Sequence, residues 1–178
     1  RTNELLSIYI DYIKYKYTEK STFVHISGEL EHAERYLIFQ KKKTGDRLEY
    51  SIQVPKELHI QKMPSDILMP FIQNAFYNGI MLKKEGGEIT VTGYMHSGNM
   101  FLEINDTGPG LTEEELDIKY EAYKDKHEGY YIKMGMEYAK EKMKRLFGKE
   151  YGIITENYRN KGSKSILLWP EHYEERTE

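Results

Sequence analysis

Two short stretches of the chain hold residues whose types and order suit binding chemistry. The first is Glu103-Ile104-Asn105-Asp106-Thr107-Gly108-Pro109-Gly110-Leu111, in which an acidic residue leaves a strand directly into a loop with two glycines around a proline. Glycine lets a backbone approach a ligand closely and take positive φ, and a carboxylate such as Asp106 accepts a hydrogen bond from an exocyclic amine. An ordinary turn after a strand has the same composition, so both readings stand. The second stretch is Pro70-Phe71-Ile72-Gln73-Asn74-Ala75-Phe76-Tyr77-Asn78-Gly79. On a helix, Gln73, Asn74, Tyr77 and Asn78 share the side opposite the apolar stripe. An amide oxygen there suits Mg²⁺, a hard cation that takes oxygen ligands and keeps several waters. Taken alone, that face reads as the solvated side of an amphipathic helix.

These residues need elements to hold them. Leu5, Ile8, Tyr9, Tyr12 and Ile13 recur at helical spacing over Glu4 to Tyr17. Ser27 reads as the N-cap of a second helix that runs through Leu30, Ala33 and Leu37 to Gln40 and is closed by Lys41, Lys42, Lys43 and Gly45. Leu48 to Val54 alternates as a half-buried strand, and a further helix is expected from Asp66 to Asn78. Glu88 to Met95 and Asn99 to Asn105 read as strands joined at His96-Ser97-Gly98. After a polar stretch, a helix over Met136 to Phe147 and strands near Gly152 to Tyr158 and Ser163 to Trp169 complete the order. Gly135 falls at the start of that helix, where free backbone N–H groups can hold phosphate. Strands that follow one another directly pair antiparallel, with helices packed on one face. The expected fold is an α/β two-layer sandwich with a mixed, mostly antiparallel sheet and helices at the N-terminus.

Composition narrows the classes. The chain has 178 residues, 39% hydrophobic and 31% charged, the profile of a globular domain rather than a disordered one. A net charge of −3 gives no basic field for nucleic acid. The absence of cysteine excludes disulfides and thiolate metal sites. No apolar run approaches the ~20 residues needed to cross a bilayer, and the opening Arg1-Thr2-Asn3 lacks the basic-then-apolar pattern expected of a signal peptide. A beginning at Arg1 without Met is expected of a segment cut from a longer chain. Sixteen tyrosines, clustered at Tyr9, Tyr12, Tyr15 and Tyr17 and at Tyr120, Tyr123, Tyr130 and Tyr131, suit half-buried surfaces.

The order of the two stretches, followed by Gly135 and by Gly162-Ser163, resembles the nucleotide-binding domain shared by gyrase, Hsp90, sensor kinases and MutL, the Bergerat fold. Asn74 matches the N-box, Asp106, Gly108 and Gly110 the first glycine box, Gly135 the second, and Gly162 with Ser163 the last. Glu29-Leu30-Glu31-His32 through Gln40, Leu68-Met69-Pro70-Phe71-Ile72-Gln73-Asn74-Ala75 and Glu141 to Gly148 are similar to the LytS/YesM type of sensor histidine kinase. The resemblance implies that residues 24–178 form the ATP-binding catalytic domain and residues 1–23 the end of a dimerisation helix region. It implies ATP and Mg²⁺ as cofactors. Asp106 would take the adenine amino group, with Ser163 helping through a water. Asn74 would hold Mg²⁺, with Gln73 beside it, and Asn78, Gly108, Gly110, Lys133, Gly135 and Met136 would complete the cofactor site. The segment Thr112 to Met134 would be a loop that closes as a lid. The reaction would be phosphoryl transfer to a histidine upstream of Arg1, in a homodimer with a response regulator as partner, the domain being the cytoplasmic part of a membrane receptor.

The chain departs from the family at several of these positions. Gln73 stands where the family has Glu, and a neutral amide cannot act as a base. Asn78 replaces a His, Lys133 the first glycine of the second box, Met136 a Leu and Tyr138 an Asn. Lys133 offers a point charge for phosphate, while a side chain there also restricts backbone wrapping. None of the six histidines (His25, His32, His59, His96, His127, His172) lies in the family's Asn-Pro-His-Phe context. A degenerate, pseudokinase-like module that acts through its surface is therefore the competing expectation.

Overall fold

The computed structural model describes residues 6, 7, 10, 14, 21–122 and 128–173. Leu6, Ser7, Ile10 and Lys14 are helical, and the rest of the helix expected over Glu4 to Tyr17 lies outside the described residues. So do Tyr9, Tyr12, Tyr15, Tyr17, Tyr123 and His127.

A five-stranded sheet carries the domain. Its strands are β2 (Leu48–Gln53), β4 (Gly87–His96), β5 (Asn99–Asp106), β6 (Gly152–Tyr158) and β7 (Gly162–Pro170), in the order β2-β4-β5-β7-β6. β2 runs parallel to β4, and every other pair is antiparallel, so the sheet is mixed and mostly antiparallel. A two-residue period sends alternate side chains to one face. Met100, Leu102 and Ile104 of β5 and Ser165, Leu167 and Trp169 of β7 form the buried series. A smaller antiparallel pair, β1 (Phe23–His25) with β3 (Lys62–Pro64), lies apart from the main sheet. Trp169 ties the two together by donating its indole N–H to the Lys62 carbonyl at 3.1 Å.

Helices cover the buried face. α1 (Ile26–Thr44) contributes Ile26, Leu30, Ala33 and Leu37 to the core, and α2 (Met69–Asn74) contributes Phe71 and Ile72. α4 (Glu128–Phe147) contributes Ala139 and Met143. Each buried Leu, Ile, Phe or Met among these stabilises the layer contact by about 1.5–3 kcal/mol, more than intrinsic propensity gives a helix as short as α2. Among the described residues no helix is long and apolar enough to cross a membrane.

Several expectations are corrected. Ser27 is not the N-cap of α1. The chain enters directly from β1, His25 sits at the cap, and the Ile26 and Ser27 amides donate to the Gln61 and His59 carbonyls at 2.8 and 3.1 Å. Backbone carbonyls thus satisfy donors that a side chain would otherwise take. The end of α1 is as expected, with Gly45 at φ 62° donating to the Lys41 carbonyl. The helix expected from Asp66 starts at Met69, and after Asn74 it widens into a π turn over Ala75–Gly79 and a 3₁₀ turn over Ile80–Leu82. The largest difference is in the segment expected to be a loop. Residues Glu113–Ala122 form a helix, α3, and α4 begins at Glu128 rather than Met136. Residues 123–127 of the expected lid lie outside the described residues.

Candidate functional site

The site begins with the register of β5. Asp106 continues the inward series of Met100, Leu102 and Ile104, so its carboxylate points to the helix side at the strand's end and is buried. Directly opposite in the ladder is Ser163, whose hydroxyl donates to Asp106 Oδ2. The Gly108 amide donates to Asp106 Oδ1 at 2.8 Å. Burial pushes the Asp106 carboxyl above its ordinary value, while the bonds from Ser163 and Gly108 and the positive charge of Lys83 oppose that rise. The Ser163 backbone also bonds this carboxylate, so of its roughly four acceptor positions about one stays open.

Close packing leaves no room for a side chain at either glycine beside the carboxylate. A Cβ on Gly79 would lie 2.6 Å from Asp106 Oδ1, and one on Gly108 would lie 2.4 Å from the Gly79 Cα. Two glycines therefore meet back to back beneath Asp106, and the π turn that ends in Gly79 is what brings the helix this close. The loop after β5 is fixed at both ends. Thr107 exchanges bonds with the Glu88 backbone, and Asn160 donates to the Pro109 carbonyl at 2.8 Å.

Asn74 and Asn78 are four residues apart and buried, not solvated as an isolated helix would suggest. Asn78 Nδ2 donates to Asn74 Oδ1 at 2.8 Å and to the Tyr120 hydroxyl at 2.9 Å. The Tyr120 hydroxyl in turn donates to Asn74 Oδ1 at 3.1 Å. Lys119 Nζ donates to Asn78 Oδ1 at 2.7 Å. Both α3 residues are shifted by burial, the Tyr120 phenol up to about 12 and the Lys119 ammonium downward. With Leu116, Lys119 and Tyr120 lie on one face of α3 at helical spacing, and that face closes over the asparagine pair.

Asn74, Asn78, Gly79, Asp106, Gly110, Leu111, Leu116, Asn157 and Ser163 line one small, partly open cleft. With Lys119 and Tyr120 bonded to the asparagine pair, the cleft is tighter than a nucleotide requires. Its oxygen donors suit Mg²⁺ held mainly by phosphate and water with one or two protein ligands, Asn74 Oδ1 first among them. Among the described residues no group of three or more His, Asp or Glu side chains could hold an ion by itself.

Of the expected site residues, Asn74, Asn78, Asp106, Gly108, Gly110 and Ser163 come together here. Gln73 sits on α2 beside Asn74, partly buried, and does not line the cleft. Lys133 is ion-paired with Asp117 at 2.7 Å and lies over the Tyr120 ring. Gly135 is not at a helix start. It lies inside α4 against Pro70, whose Cγ would be 3.1 Å from a Cβ there, and its amide belongs to the helix ladder rather than to a phosphate cradle. Met136 is partly buried and packs on the core. The sequence reading missed Gly79, Leu116, Lys119, Tyr120 and Asn157. A signal for the α3 residues was present in Thr112-Glu113-Glu114-Glu115. This is a capping box in which the Glu115 amide donates to Thr112 Oγ1 and the Thr112 amide to Glu115 Oε2.

No family model matches the chain. Among curated proteins it is similar to the sensor histidine kinase BtsS of Escherichia coli K12, 27% identical over 133 residues, 75% of this chain and 21% of BtsS. It is also similar to the sensor protein LytS of Bacillus cereus, 22% identical over 151 residues, 85% of this chain and 25% of LytS. The chain thus spans about a fifth of BtsS and a quarter of LytS. Among solved structures, the nucleotide-free catalytic domain of the histidine kinase ThkA superposes with a TM-score of 0.57 at 18% identity, over 86% of this chain and 97% of that domain.

Proposed function

Because this chain is a relative of the BtsS and LytS sensor histidine kinases with the fold of a histidine kinase catalytic domain, we propose that it binds ATP and transfers its γ-phosphoryl group to a histidine. The observation that carries this reading is the buried carboxylate of Asp106, held by Ser163 and Gly108 over a floor of two glycines. A fixed carboxylate in a close-packed slot recognises the exocyclic amine of adenine, directly or through a water. Asn74 and Asn78 then face the phosphates. Mg²⁺, when bound, would supply neutralisation of the phosphate charge. Asn74 would hold that ion once its Oδ1 is released by Tyr120. Phosphoryl transfer of this kind depends on positioning more than on proton removal. An imidazole nitrogen brings its own lone pair, so the neutral Gln73 does not stop it.

In this reading residues 24–178 are the catalytic domain, and residues 1–23 continue a helical region through which a longer chain dimerises. The acceptor histidine lies upstream of Arg1. Three of the described histidines have structural surroundings: His32 is buried in α1, and the His25 and His59 rings bond the Ile60 and Val54 carbonyls. A response regulator is the downstream partner, and the domain is the cytoplasmic part of a receptor. The cap that Lys119 and Tyr120 place on the asparagine pair favours a second reading, an interaction module that retains the fold and holds nucleotide weakly. Calorimetric titration with a non-hydrolysable ATP analogue separates the two. The kinase reading expects micromolar binding that weakens without Mg²⁺. No heat and no thermal shift at millimolar nucleotide would leave the interaction module.

A further inference from the structure

Lysines around the site differ in how their charge is met. Lys133 pairs with Asp117 at 2.7 Å, Lys83 with Glu85 at 3.6 Å, and Lys164 with Glu103 at 2.8 Å. Lys119 does not follow this pattern. Its ammonium is partly buried, its hydrogen bond goes to the neutral Asn78 Oδ1 at 2.7 Å, and among the described residues no carboxylate pairs with it. Burying a cation without a counter-ion is unfavourable unless an anion completes the site. The surroundings specify where that anion would sit. Asn78 and Asn74 line the same cleft as Asp106, and α3 holds Lys119 at the asparagine end of it. Lys133, which the glycine-box spacing singles out for phosphate, already has its charge met by Asp117 and is turned to the Tyr120 ring.

Resting on the ATP-binding reading above, we propose that Lys119 is the residue that binds the polyphosphate of the nucleotide, in place of the altered second glycine box. When nucleotide enters, the Lys119 ammonium exchanges the Asn78 carboxamide for a phosphate oxygen. Its four-carbon stem allows this while α3 moves enough for Tyr120 to leave Asn74. The anion is recognised as a chain of phosphates already anchored by its base on Asp106, so adenosine, which lacks it, makes no use of Lys119.

The test is titration of the 178-residue chain and its Lys119→Gln, Lys119→Arg and Lys133→Gln variants with a non-hydrolysable ATP analogue and with adenosine. A charged hydrogen bond of this type corresponds to about a ten- to hundredfold change in affinity. Lys119→Gln is expected to lose that much for the ATP analogue and nothing for adenosine, and Lys119→Arg to recover most of it. Lys133→Gln is expected to lose less than Lys119→Gln. An equal loss on adenosine would make Lys119 structural, and a larger loss at Lys133 would return the phosphate role to the glycine-box position. Either result overturns the assignment while leaving ATP binding intact. An unaltered chain that binds neither ligand overturns the ATP-binding reading itself and the assignment with it.

Discussion

Removal of one hydroxyl, Tyr120→Phe, is expected to weaken the domain and strengthen its binding of Mg-ATP. Tyr120 is buried, and its hydroxyl accepts from Asn78 Nδ2 at 2.9 Å and donates to Asn74 Oδ1 at 3.1 Å. Its titration, raised to about 12 mainly by burial, keeps the proton on the oxygen throughout the neutral range. Phenylalanine removes both bonds and keeps the ring. Asn74 Oδ1 still accepts from Asn78 at 2.8 Å, so the one group that loses its partner here is the second Asn78 Nδ2 proton. Two neutral bonds are worth about 1–2 kcal/mol together, and in a domain of this size that lowers Tm by about 2–8 °C. A ligand that uses Asn74 must break the same bonds, so their removal should raise its affinity by about 5- to 30-fold. Thermal melting without ligand and titration with the Mg-bound ATP analogue measure the two halves. Affinity that falls together with Tm would show that Tyr120 holds the ligand rather than excluding it, and would refute the reasoning.

Two further changes probe the floor of the site. Gly79→Ala places a methyl 2.6 Å from Asp106 Oδ1. It should cost about 1–3 kcal/mol in melting stability through overpacking and abolish detectable binding of the ATP analogue. Asp106 titrates above the ordinary value of 3.8 because of burial, so the folded state holds its proton more tightly than the unfolded state. Stability from this group is therefore lost as pH rises from 3.8 to the raised folded value. Asp106→Asn should abolish that portion of the pH dependence, which urea melts across pH 4 to 7 would show as a shrinking advantage of the aspartate form. A constant difference between the two proteins would contradict it.

The sheet and its carboxylate were legible because a period of two persists without interruption. Met100, Leu102 and Ile104 mark the inward face of β5, and Asp106 is the next residue in that series. Ser163 was legible as a partner only through the family resemblance, because its position opposite Asp106 depends on strand pairing across the intervening helices. α3 was hidden by its composition. Glu113, Glu114, Glu115, Asp117 and Lys119 dominate it, Ile118 is exposed, and its inward face is largely Leu116 and Tyr120, too little for an apolar stripe. The early start of α4 was masked by Gly135, which read as the start of the helix, although it serves close packing against Pro70. The β1–β3 pair is three residues long on each side and leaves no period to detect. The burial of Asn74 and Asn78 followed from α3, so missing one meant misreading the other.

Base selectivity tests the central claim most directly. A fluorescent ATP analogue bound to the chain would be displaced by ATP and by GTP, in the unaltered protein and in Asp106→Asn. A buried carboxylate placed for the adenine amine should favour ATP over GTP by at least about tenfold, and the asparagine variant should lose that preference. Equal displacement by the two nucleotides, or a preference that survives in Asp106→Asn, would contradict the assignment of this cleft to adenine.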